Sequence, residues 1–281
     1  MIESIIDDVK RQFAYGNMIS KLILVNIFVF LLVVIIKAFT GYNPNIYESV
    51  ISFLALPSDL GTLLTRPWTL LTYMFLHQGF WHIFWNMVWL YWFGRIIGDL
   101  LGDKRMLPLY IMGGLAGGLL FLIYSNLAGD FSNVRGASGA VSCLVIAAAV
   151  VAPNYVVRLI LIGDVQIKYI ALFRLVMDLI SISEHNNVGG NMAHIGGAAM
   201  GAFFVYMLRQ GRDLSDISWT NQKKPTKMKV IHNKKRPKPQ AKTDLHSQDR
   251  VDQILDKINA TGYDSLTREE KEILYQASKK D

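Results

Sequence analysis

Six apolar runs, separated by short charged connections or by stretches broken with glycine and proline, constrain this chain more than any other feature of it. The first lies between Lys21 and Lys37, fifteen uncharged residues with a lysine at each end able to snorkel to an interface; with its flanks it spans a bilayer that needs about 20 residues. Further runs follow at about 80 to 98, 107 to 128, 137 to 153, 169 to 184 and 191 to 208. Hydrocarbon offers no partner to a backbone N–H or C=O, so each run is expected to be a helix. The fifth holds Arg174 and Asp178, which are four residues apart and can pair on one helix face, lowering a penalty of roughly 3 kcal/mol for each isolated charge. That pair reads as an ion pair packed against neighbouring helices. The expected fold class is an all-α polytopic membrane protein, a six-helix bundle with a small helical tail.

With 52% hydrophobic residues the chain cannot be disordered, and a soluble fold would struggle to cover so much apolar surface. Charge is concentrated at the end: residues 209 to 281 hold 17 of the 29 Lys and Arg. Cys143 stands alone, so neither an internal disulfide nor a thiolate metal cluster can form, and no cofactor is implied. The first twelve residues mix acids with bases, unlike a signal or transit peptide, so the first apolar helix is expected to be retained.

Four regions result. Residues 1 to 19 repeat Ile2, Ile5, Ile6, Val9 and Phe13 at helical spacing, an amphipathic pattern suited to a membrane surface and equally to a frayed end. Residues 20 to 209 form the six-span core, in which 40 to 67 are broken by Gly41, Pro44, Pro57, Gly61 and Pro67 into an interfacial loop with short helices. Residues 210 to 243 are a basic, proline-bearing linker that is expected to be disordered and that suits anionic headgroups as well as it suits a plain spacer. Nucleic acid is a poor partner for it, since aromatics are not interleaved. Residues 244 to 281 read as a helical hairpin: Val251, Ile254, Leu255 and Ile258 make one stripe, Gly262 turns the chain, and Thr267 with Glu270 makes a capping box. Lys and Arg in the connections place both termini on the cytoplasmic side of a cell membrane.

That topology sets three sites at a similar depth below the outer face. Ser138 opens the fourth run and His194 lies near the start of the sixth; a hydroxyl and an imidazole there suggest a nucleophile and a base, with no carboxylate evidently placed to orient the histidine. A dyad is therefore favoured over a triad. His82 and Asn86, four apart at the outer end of the second run, share a helix face and can each donate a hydrogen bond to an oxyanion. Gly136 and Gly139 flank Ser138, while Gly197 and Gly201 continue the His194 stripe, small enough for helices to approach closely.

Taken singly, each of these residues has a packing explanation; their coincidence at one depth argues for a site. Gly136-Ala137-Ser138-Gly139, the pair His82-x-x-x-Asn86 and Ala193-His194-x-x-Gly197, in that order, resemble the rhomboid family of intramembrane serine proteases. Phe75-Leu76-His77 and Phe93-Gly94 add to the resemblance, which covers roughly residues 20 to 208. It implies a six-helix bundle cleaving transmembrane-helix substrates, with Ser138 as nucleophile, His194 as general base, and His82, Asn86 and the Ser138 N–H as oxyanion donors. It further implies a mobile cap at about 183 to 191 and a fifth span beside the substrate entrance. Two departures stand out: Trp68-Thr69 replaces a Trp-Arg pair, and Ser142 occupies the position, four after the nucleophile, where relatives often carry an aromatic against the histidine.

Other classes compete. A catalytically silent rhomboid-like adaptor binding membrane clients would share the fold. An ion-coupled transporter would need an inverted repeat, which is not visible. A zinc protease would need HExxH, which is absent, and His77 and His82 are awkwardly spaced for one metal. Substrate identity and oligomeric state are not encoded in any of these features.

Overall fold

The computed structural model describes residues 2–40, 43–130, 132–159, 162–216 and 245–278. The chain divides into two compact units, residues 1–219 and 220–281. In the first, α1 (Ile2–Tyr15) leaves Ile6, Val9 and Phe13 exposed, with ion pairs Asp7–Lys10 and Asp8–Arg11 elsewhere on the helix. Asn17 caps the Ser20 N–H to start α2 (Met18–Phe39), and the Asp103 carboxylate accepts the Met18 N–H at 2.9 Å. The interrupted stretch folds as α3 (Pro44–Leu54), β1 (Leu56–Pro57), α4 (Leu60–Thr65) and α5 (Thr69–Thr72), short helices as its glycines and prolines require. Trp68 donates to the Phe53 carbonyl at 2.8 Å and Arg66 to that of Ser52 at 3.2 Å, which folds the stretch on itself.

The remaining apolar runs become α6 (Phe80–Leu101), α7 (Met106–Ala128), α8 (Ser138–Val151), α9 (Ile167–Ser183) and α10 (Val188–Arg209). By length and composition α2, α7 with the turn before it, and α10 can cross a membrane, and α8 is a shorter apolar helix. In α6 the apolar run is rich in tryptophan, and Trp81, Trp85 and Trp92 face outward.

Small residues let α10 seat deeply against α7 and α8, which are its chief neighbours. A Cβ added to Gly117 would meet the Ala193 carbonyl oxygen at 2.6 Å, one on Gly139 the same oxygen at 3.1 Å, and one on Gly201 would strike the Cys143 carbonyl. Without a hydrophobic drive between helices in lipid, such close backbone approach supplies the dispersion contacts that hold a bundle. Two buried tyrosines are paired: Tyr73 donates to the Gly114 carbonyl at 2.6 Å, and Tyr110, bonded to Asn26, donates to that of Met74 at 2.9 Å.

The all-α expectation needs one amendment, since two small antiparallel sheets are present. β1 pairs with β2 (Asn133–Val134), and β3 (Val156–Leu159) pairs with β4 (Gly163–Gln166) in a hairpin rich in β-branched valines that turns at Gly163, φ +93°. After α10 the chain turns so that Asp213 pairs with Arg105 at 2.7 Å and accepts from Ser215. The rest of the expected basic linker, from residue 217 on, lies outside the described residues.

In the second unit, α11 (Leu245–Thr261) and α12 (Arg268–Ala277) form a helical hairpin with both halves of the Thr267–Glu270 capping box made. Lys257 donates to Glu270 at 2.9 Å and Ile254 is buried between the helices.

Candidate active site

The loop before α8 is held from two directions. Val134 pairs with Leu56 across the β1–β2 sheet, and the Gly136 N–H donates to the Tyr73 carbonyl at 2.9 Å. Gly136 sits at φ +136°, a conformation that side chains resist, and a Cβ there would stand 2.9 Å from His82 Nε2, so glycine is required twice over. Ser138 is the first residue of α8, and its backbone N–H is among the first-turn amides with no acceptor inside the helix.

Ser138, His194, His82 and Asn86, far apart in sequence, line one cavity of about 850 Å³ together with Arg174 and Gly190. On α6 the Asn86 amide donates to the His82 carbonyl at 2.8 Å, leaving its second hydrogen for a ligand. His82 Nδ1 accepts from the Gln78 N–H at 3.4 Å, so the ring proton resides on Nε2, the nitrogen next to Gly136. A neutral donor thus stands beside Ser138. The four glycines singled out by spacing all sit at tight passages: Gly136 against His82, Gly139 against Ala193, Gly197 against the Gly139 carbonyl, and Gly201 against that of Cys143.

His194 is held differently from the expectation. Its Nδ1 lies 2.7 Å from Asp178 Oδ1, and the other carboxylate oxygen accepts from Arg174 Nε at 3.3 Å. Arg174 also donates to Ser142 at 3.4 Å and lies over the Trp89 ring, 5.9 Å from its centroid. So a carboxylate does contact the histidine, and the Arg174–Asp178 pair is more than a packing device. Asp178 is the sole acid within α9 and was visible as such; the register of α9 on α10, which decides what it touches, has no local signature in the sequence.

The connection above the cavity is shorter than anticipated. Residues 184 to 187 alone join α9 to α10, because Gly189, Gly190 and Asn191 are already helical. His185 and Asn187 adopt φ of 56° and 47°, uncommon for residues with side chains, and Asn191 donates to Ser181 Oγ at 2.8 Å and to the Asn186 carbonyl at 2.9 Å. Among the described residues no hydrogen bond joins Ser138 to His194, and no three His, Cys, Asp or Glu side chains converge to hold a metal ion. The arrangement offers a hydroxyl, an imidazole backed by a carboxylate, and donors for a developing negative charge.

Comparison with known sequences gives the family. The profile of the Rhomboid domain matches residues 64–211, and that of a family of unknown function, DUF6576, matches residues 242–280. The chain is 32% identical over 161 residues to RHOMBOID-like protein 12, mitochondrial, of Arabidopsis thaliana, covering 52% of this chain and 48% of that protein. It is 25% identical over 162 residues to Rhomboid-like protein 17, chloroplastic, of the same plant, covering 51% and 50%. The chain therefore spans about half the length of the curated relatives it matches.

Proposed function

The chain belongs to the rhomboid family, and on that premise we propose that it is an intramembrane serine endopeptidase acting on the transmembrane segments of membrane-anchored proteins near the outer face. The observation that carries the reading is the convergence of Ser138, His194, His82 and Asn86 on one cavity from three helices. In the proposed cycle, Ser138 Oγ attacks the scissile carbonyl while His194 Nε2 takes its proton. His194 then returns that proton to the departing amine, and a water, deprotonated by the same nitrogen, releases the acyl group from Ser138. His82 Nε2–H, an Asn86 amide hydrogen and the Ser138 N–H would stabilise the tetrahedral oxyanion, which gains most in a site shielded from bulk water.

Six spans, α2 and α6 to α10, complete the proposal; the exposed apolar side chains of Leu172, Phe173, Val176 and Leu179 of α9 support a span there despite Lys168 at its start and the Arg174–Asp178 pair within it. Both termini would be cytoplasmic in a cell membrane, with the basic stretch after residue 217 near anionic headgroups. A substrate helix must unwind to expose its carbonyl, so small or helix-breaking residues near the cut are expected.

The test is cleavage of a membrane-anchored reporter by the parent and by Ser138→Ala. Loss of cutting at unchanged accumulation is expected; cutting at the parent rate would refute the assignment. A second reading, a silent adaptor that binds membrane clients, is favoured by the missing Ser138–His194 hydrogen bond among the described residues, although catalytic hydrogen bonds often tighten only with substrate. Fluorophosphonate labelling that needs both residues supports the enzyme, and its absence under conditions where the fold is intact supports the adaptor.

A further inference from the structure

We infer that Asp178, carried on the peripheral helix α9, is the positioning residue that sets the tautomer and orientation of His194. The inference rests on the reading of Ser138 and His194 as nucleophile and base. Three residues of α9 are buried, Ile167 and Ala171 in its first turns and Asp178 further along, while Leu172, Phe173, Val176, Leu179 and Ile180 are exposed. A carboxylate with 7% of its side chain exposed, on a stretch of helix whose other residues are exposed or half-buried, is costly unless it is fully engaged. Pairing with Arg174 on the same helix would be enough for that. Yet the shorter contact, 2.7 Å, goes to His194, and the 3.3 Å one to Arg174.

The register is fixed independently. Ser181 accepts from Asn191 at 2.8 Å, and Asp178 meets His194; the partners are three residues apart on each of the two antiparallel helices, so a pair of polar contacts one turn apart locks α9 on α10. An ionised carboxylate only accepts, so Nδ1 must carry the ring proton and Nε2 presents its lone pair to the cavity that Ser138 lines. That is the tautomer a general base requires. Arg174 fixes the second carboxylate oxygen and anchors the assembly to α8 through Ser142 and to α6 through Trp89, filling the position left small by Ser142. Base competence at His194 then depends on α9 being seated.

The test uses the purified full chain, with kcat and KM measured against pH on a transmembrane reporter for Asp178→Asn, Asp178→Glu and the double variant Arg174→Gln/Asp178→Asn, and with Ser138→Ala and His194→Ala alongside. Charged and titratable groups around His194 are Asp178 and Arg174 on α9 and His82 on α6, with Tyr124 on α7 and Asp130, Arg135 and His185 on loops lining the same cavity. Asp178→Asn is expected to lower kcat by about 10²- to 10⁴-fold with KM little changed. Without the carboxylate the imidazolium is less favoured, so the acid limb of the kcat profile should move to lower pH. Asp178→Glu should retain more activity than Asp178→Asn. The double variant, which leaves no unpaired charge and supplies the readout if Asp178→Asn does not accumulate, should stay as impaired. Activity of either Asn-bearing variant within about threefold of the parent overturns the inference, as does a loss with the acid limb unmoved, which a purely structural ion pair would give. Cleavage by Ser138→Ala would instead overturn the reading beneath it, so the two failures are distinguishable.

Discussion

Gly197 governs how near the hydroxyl and the imidazole can come, because a single methyl on it would collide with the Gly139 carbonyl one residue past Ser138. Gly197→Ala is expected to push α10 from α8, costing about 1–3 kcal/mol, read as a lower unfolding midpoint with turnover reduced in parallel. An unchanged midpoint would show that the helices do not touch there. The oxyanion donors act on rate and not on fold. His82→Ala and Asn86→Ala should each lower turnover by about 10²-fold or more while the protein unfolds at the parent temperature. Asn86 gives one amide hydrogen to its own helix and has the second left to donate, so Asn86→Asp, which brings an acceptor to the same place, should be at least as damaging.

Helices came readily from the sequence because lipid-soluble runs leave the backbone no alternative, and α6 to α10 fall within a few residues of the runs that foretold them. Ser138, His194, His82, Asn86 and the four glycines were legible for a related reason, since residue type and depth along a predicted span already place them at one level. Asp178 was not: its contact with His194 depends on how α9 is rotated and slid against α10, which is decided by Ser181, Asn191 and the tight 184 to 187 connection. The small sheets were missed because two to four residues carry no readable alternation. In the C-terminal hairpin the local signals suffice. There Lys257, with help from the Thr267 N–H and against a small effect of burial, holds the Glu270 carboxyl down to about 2. A carboxylate lowered by folding supports the fold above its ordinary range, and that support is lost as pH falls from the usual value near 4.5 through about 2. The Glu270 side-chain carbon signal should therefore titrate near 2 in the full chain, and a midpoint near 4.5 would mean that the capping box and the Lys257 contact do not form.

At the scale of the whole molecule, the proposed six spans, with Lys104, Arg105, Arg158, Lys168 and the basic tail on one side, would put both ends of this chain in the same compartment. Phosphatase and fluorescent-protein fusions at residues 1 and 281 should report the same side, and opposite sides would remove one of the six spans. Under the same proposal the cavity of Ser138 and His194, lined also by His185 and Asn187 between α9 and α10, would open toward the other face. Everything proposed about activity depends on that serine being made nucleophilic by that histidine. The most direct measurement is mass-spectrometric mapping of a fluorophosphonate adduct on the membrane-embedded protein. The account predicts one adduct, on Ser138, lost in His194→Ala while that variant remains folded; an adduct that persists at full yield without His194, or none on Ser138 in a protein that still cleaves its reporter, would contradict it.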